Sequence, residues 1–107
     1  MVDYVTRTWR EGRAVDSERI GAFGFSAGGY AVLTAAGARP VFSRLPGHCH
    51  ENRQDHLCSA LLPRWDSMKD LNAPQPDGRI KAAVVAAPAL GHLFEENSLR
   101  DLRVQLQ

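Results

Sequence analysis

The chain has 107 residues, 44% of them hydrophobic and 23% charged, with a formal net charge of +1. That length allows one domain with a modest core, and the composition excludes a disordered chain and gives no sign of a nucleic-acid partner. No apolar run approaches the roughly 20 residues that span a bilayer. The first residues, Met1 to Arg7, lack the basic start and apolar core of a signal peptide, so the sequence leaves the compartment open.

In chain order, Val2, Val5 and Trp9 recur at helical spacing and predict a short amphipathic helix ending near Gly12. Asp16-Ser17-Glu18 reads as a turn. Arg19 to Phe25 follows as a short apolar run, the pattern of a strand buried on both faces and central in its sheet. Ala27 to Ala36 is small or apolar almost throughout, which predicts a helix buried all round, with Gly37 as its C-cap and Pro40 as a stop.

Residues 38–78 contain Pro40, Pro46, Pro63, Pro74 and Pro76 and a polar, histidine-rich stretch from His48 to His56. They read as an irregular, mostly surface insertion with short helices around Asp55 to Leu62 and Trp65 to Leu71. Arg79 to Pro88 predicts a second buried strand stopped by proline, Phe94 to Asp101 a short helix, and Leu102 to Leu106 a third strand. Strands separated by helical connections indicate an α/β fold: a parallel sheet with helices on its faces.

The chemistry concentrates at Gly24-Phe25-Ser26-Ala27-Gly28, a serine between two glycines, directly after a strand and directly before a helix. This is the sequence form of a nucleophile elbow, in which Ser26 is lifted out of a sharp, strained turn and Gly24 and Gly28 give strand and helix room to approach. Ser26 as nucleophile needs a base and an oxyanion hole. The Ala27 backbone N–H, at the helix start, offers half of the hole. A phosphate-binding reading fails on spacing, since Tyr30 stands where a P-loop needs lysine and no G-x-G-x-x-G is present.

Of the four histidines, His92 follows the second strand and is placed for the same sheet edge as Ser26, although a polar loop histidine is the plainer reading. His48, His50 and His56 read as solvated loop residues. Cys49 and Cys58 suit either a small disulfide loop or two free thiols. With His48, His50 and His56 they invite comparison with a zinc site, but their spacing matches no familiar knuckle or finger, and no metal or other cofactor is expected. Asp101 precedes the last strand and reads as part of a solvated helix face with Glu95, Glu96, Arg100 and Arg103.

The segment Asp16 to Gly29 resembles the elbow region of α/β-hydrolases, particularly the bacterial proteins known as predicted dienelactone hydrolases, and Arg79 to Gly91 resembles the strand and cleft loop that follow in that group. The resemblance implies a single partial α/β-hydrolase domain over residues 1–107, with the elbow in 19–37, an insertion in 38–78 and the following strand and cleft loop in 79–93. It implies a serine hydrolase of carboxylic esters acting through an acyl-enzyme at Ser26. Because dienelactone hydrolases proper carry cysteine at the elbow, Ser26 aligns the chain with the esterase and platelet-activating-factor acetylhydrolase branches. In that family the acid and histidine follow later in the chain, so the 107 residues are expected to be the middle of a longer domain and to have negligible turnover alone. A non-catalytic remnant or binding module that keeps the hydrolase core is the alternative. The resemblance leans towards an exported protein and a small-molecule ester substrate, and unpaired sheet edges favour self-association.

Overall fold

The structure is a computed structural model, and it describes residues 1–9, 15–70 and 74–107. Three parallel strands form one sheet in the order β1 (Ile20–Phe25), β2 (Ile80–Ala86), β3 (Gln105–Leu106). β1 and β2 run in register from Gly21 opposite Ala82 to Phe25 opposite Ala86, and β3 adds only two pairs, Gln105 with Ala82 and Leu106 with Ala83. Helix α1 (Ala27–Ala36) returns antiparallel to the strands and packs on both β1 and β2. The result is a partial α/β fold, a parallel sheet flanked by helices.

Between α1 and β2 lie α2 (Leu45–Glu51), α3 (His56–Leu61) and α4 (Trp65–Met68), and α5 (Glu96–Arg100) precedes β3. Two cores result. Leu33, Ala38 and Phe94 fill the space beneath α1, with Tyr30 tilted against Phe94. Leu45, Cys49, Cys58 and Leu93 form a second core under α2 and α3.

Several expectations are corrected. β1 is an edge strand among the described residues, not a central one, and only one of its faces is covered: Phe23 and Phe25 are 72% and 65% exposed on the face away from α1, with Val84 of β2 beside Phe23. β2 is likewise half covered, with Ile80 and Ala83 buried but Lys81, Ala82 and Val84 exposed. α1 buries Gly29, Leu33 and Thr34 and leaves Gly28 and Ala31 open, so it has one buried face rather than all-round burial. The predicted C-cap is present: Gly37 adopts φ 113°, and Ala38 N–H donates to Leu33 O across it.

The N-terminal helix is short, its last part a π-type turn over Tyr4–Thr8, and Trp9 is already extended; Gly12 lies outside the described residues. Asp16 makes the expected turn, accepting Glu18 N–H on Oδ1 and Arg19 N–H on its carbonyl. The insertion is more ordered than the sequence indicates. The stretch read as a polar loop contains α2, in which Leu45 and Cys49, four apart and therefore on one face, are both buried. α3 forms where expected, with the Asp55 side chain capping Leu57 N–H, while Leu71 lies outside the described residues. Among the described residues no helix is long and apolar enough to cross a membrane.

Candidate active site

β1 ends at Phe25 and α1 begins at Ala27, so Ser26 alone must turn the chain. It does so at φ 53°, ψ −118°, a region that costs a residue with a side chain about 1–3 kcal/mol and persists only where its surroundings over-determine it. Here they do. Ser26 N–H donates to Ala86 O at the end of β2, and Ser26 O accepts from Tyr30 N–H and from Ala89 N–H at 2.9 Å. The strained residue is clamped to the helix below it and to the loop beside it.

Gly24 explains how strand and helix come so close. A Cβ there would lie 2.3 Å from the Gly28 carbonyl oxygen and 2.7 Å from Gly29 N, distances that no backbone atom can accommodate without moving. The second close approach belongs to Gly29, whose added Cβ would meet Pro88 Cα at 3.1 Å and Val85 Cγ1 at 3.2 Å. Gly28, paired with Gly24 in the sequence pattern, has nothing within 4 Å of such a Cβ. Its part in the approach is its backbone, against which Gly24 rests.

This geometry exposes Ser26, and among the described residues its hydroxyl makes no hydrogen bond. Ala27, as the first residue of α1, keeps its N–H outside the helical ladder, directed with the helix dipole towards the end where Ser26 sits. The Ser26 hydroxyl and the Ala27 N–H therefore share the carboxyl edge of the sheet. The loop Ala87–Leu93 flanks them and holds two further left-handed residues, Ala87 at φ 42° and Leu90 at φ 58°.

The histidines do not converge on Ser26. His48 lies half-buried, not solvated, and its Nε2 is 3.0 Å from Asp55 Oδ2 while its Nδ1 faces Asn52 Nδ2 at 3.3 Å. His92 stacks flat on it, ring centroids 3.5 Å apart. Partial burial, and then the neighbouring His48 charge, hold the His92 pKa below the usual histidine range. The hydrogen bond from His48, helped by Leu57 N–H, holds the Asp55 carboxyl below the usual carboxylate range. His50 and His56 are exposed and stand apart from this cluster. Cys49 and Cys58, for which the sequence left two states open, are joined by a disulfide in the second core.

Asp101 sits at the other end of the sheet. It lines a cavity of about 800 Å³ with Gly37 at the end of α1 and Ile80 at the start of β2, remote from the carboxyl edge that carries Ser26. Two groups escaped the sequence reading. Asp55 carried only a helix-start signal, and nothing in the sequence distinguishes a capping carboxylate that also holds a histidine. The pairing of His48 with His92 joins residues 44 apart and had no local signature.

A family model described as the prolyl oligopeptidase family matches residues 2–45, a span that includes β1, Ser26 and α1. With the parallel sheet and the strand–serine–helix junction, the match supports an α/β-hydrolase-type serine hydrolase superfamily; it does not reach the dienelactone hydrolase or platelet-activating-factor acetylhydrolase branches. No curated protein and no solved structure matches the chain.

Proposed function

We propose that this chain carries the nucleophile elbow of a serine hydrolase that cleaves carboxylic esters through an acyl-enzyme on Ser26. The observation that carries the reading is the strained, clamped conformation of Ser26 at a one-residue link between a parallel strand and a helix. Strain of this kind is retained where it presents a side chain for work. In the reaction the Ser26 hydroxyl oxygen attacks the ester carbonyl as it gives up its proton, and the oxyanion accepts a hydrogen bond from the Ala27 N–H. The C–O bond to the alcohol breaks and the alcohol leaves with that proton, and water then hydrolyses the acyl-enzyme to acid and free Ser26. The family matched over residues 2–45 is named for oligopeptidases, and the same attack serves a peptide carbonyl, which makes a peptide substrate the second reading.

Among the described residues no histidine or carboxylate is hydrogen-bonded to Ser26, so the 107-residue chain is expected to show only trace turnover. Loss of a triad's base typically costs several powers of ten in rate. The test is covalent labelling with a fluorophosphonate, mapped by mass spectrometry. Slow modification at Ser26, needing a large excess of probe because no base activates the hydroxyl, that disappears in Ser26→Ala is the expected result. A folded protein that takes no label there would overturn the hydrolase reading and favour a core retained for binding. An aryl ester and a proline anilide, offered to the same protein, separate the two substrate classes.

A further inference from the structure

We propose that the junction of α2 and α3 is a zinc site closed by its own disulfide: once Cys49–Cys58 is reduced, His48, Asp55, Cys58 and Cys49 close on a single Zn²⁺. A ring nitrogen of His48, a carboxylate oxygen of Asp55 and Cys58 Sγ all lie within 4.8 Å of one another, and Cys49 Sγ is bonded to Cys58 Sγ. Imidazole, carboxylate and thiolate together are a donor set for zinc, which takes four ligands tetrahedrally.

The distances fit with small movements. Nitrogen and oxygen ligands at about 2.0–2.1 Å from a tetrahedral zinc stand about 3.3 Å apart. His48 Nε2 and Asp55 Oδ2 are already 3.0 Å apart, held by a hydrogen bond whose place the metal would take. Two thiolates at about 2.3 Å from zinc stand about 3.8 Å apart. The bonded sulfurs therefore need only to separate once the covalent bond is gone.

The supporting groups are also in place. Asp55 Oδ1 accepts Leu57 N–H and fixes the carboxylate, leaving Oδ2 turned towards His48. The stacked His92 ring holds the imidazole, and once Nε2 binds the metal its proton resides on Nδ1, so the Asn52 amide must turn its oxygen to Nδ1 in place of the Nδ2 that faces it now. Such outer contacts orient ligands and sharpen metal affinity. The His48 and Asp55 side chains are 22% and 29% exposed, so an ion can enter from solvent, while both sulfurs sit in the core beneath.

In the oxidised chain the thiolates do not exist, and an imidazole with one carboxylate is too small a set to hold zinc firmly. Reduction by a trialkylphosphine is balanced by water. Phosphorus attacks one sulfur, the S–S bond breaks, water oxygen becomes the phosphine oxide, and the two water protons end on the two thiols. Those two protons leave when the thiolates bind the metal.

The experiment titrates the 107-residue protein with Co²⁺, in air and after phosphine reduction under argon, and then displaces the cobalt with Zn²⁺. The reduced protein is expected to bind one equivalent with the visible d–d bands of a tetrahedral site and a thiolate-to-cobalt charge-transfer band, and the oxidised protein to show neither. His48→Gln should weaken binding at least about tenfold, and Cys58→Ser should reduce the charge-transfer band. Cys49→Ser, which cannot form the disulfide, should bind cobalt in air through one thiolate, so the proposal stays testable if the reduced wild type loosens. Equal binding by oxidised and reduced protein would overturn it. So would a His48→Gln variant with unchanged affinity, since the metal would then be held by other groups.

Discussion

The strand–serine–helix turn and the disulfide-linked lobe solve the same problem, holding a chain segment in place with little buried surface, in opposite ways. Around Ser26 the constraint is steric and local: Gly24 seats on the Gly28 carbonyl, and three backbone hydrogen bonds fix the strained serine. Around His48 the constraint is covalent and polar, with a disulfide beneath a hydrogen-bonded histidine–aspartate pair. The first arrangement fails when an atom is added. The second fails when a bond or a charge is changed.

Adding an atom at Gly24 is expected to have the largest effect. In Gly24→Ala the new Cβ would lie 2.3 Å from a backbone oxygen, so strand and helix must part, at a cost of about 3 kcal/mol or more, overpacking without a flexible neighbour to yield. Gly28→Ala is the matched control: nothing lies within 4 Å, and a helical Gly→Ala change stabilises by about 0.5–1 kcal/mol. Urea denaturation of the two variants checks the pair. Equal destabilisation would mean that the approach of α1 to β1 is not what Gly24 protects.

Next comes the cross-link. Replacing both Cys49 and Cys58 by serine releases a loop with a sequence separation of 9, which in the chain-entropy view costs about 2.6 kcal/mol. The contrast between the regions makes the loss local. Amide exchange is expected to accelerate in α2 and α3 and to change little in β1 and β2, whose main contacts are with each other, α1 and β3. Uniform acceleration across the chain would show that the two regions unfold as one.

The strand–serine–helix turn was legible because its determinants are consecutive residues: an apolar run, a glycine at Gly24 that only a close approach requires, Ser26, and a small-residue helix capped by Gly37. Spacing alone does not say which of these glycines must lack a side chain: Gly24 and Gly29 must, while Gly28 contributes its backbone. α2 was illegible because its seven residues, Leu45 to Glu51, include Pro46, Gly47 and two histidines and show no apolar stripe beyond Leu45 and Cys49. Proline is tolerated in that first turn, and burial of this one pair against Leu93 and the disulfide supplies what propensity lacks. The exposure of Phe23 and Phe25 was missed for another reason. An apolar strand reports which faces seek cover, and says nothing of which element covers them.

The smallest expected effect is acid sensitivity, and it too divides the regions. His92 has its pKa lowered by burial and by His48, with Asp55 opposing, so the folded protein takes up this proton less readily than the unfolded chain. Its contribution to stability is complete above the unfolded value, about 6.5, and is lost as pH falls through the lower folded value. Asp55, also lowered, adds a second loss below the ordinary carboxylate value of about 3.9. β1 and α1 hold a single titratable side chain, Tyr30, whose pKa burial raises further from this range. Between pH 7.5 and 5, roughly one unit above the ordinary histidine value and one and a half below it, exchange is expected to quicken at α2 and residues 91–93 once intrinsic rates are corrected, and to stay level at β1. His92→Asn should flatten that response and move the Asp55 step only slightly upward, since the His92 charge is the smallest of the causes that lower it. If the variant and the wild type keep the same slope through this interval, the stacked pair carries no linked proton and the lobe's acid response must come from elsewhere.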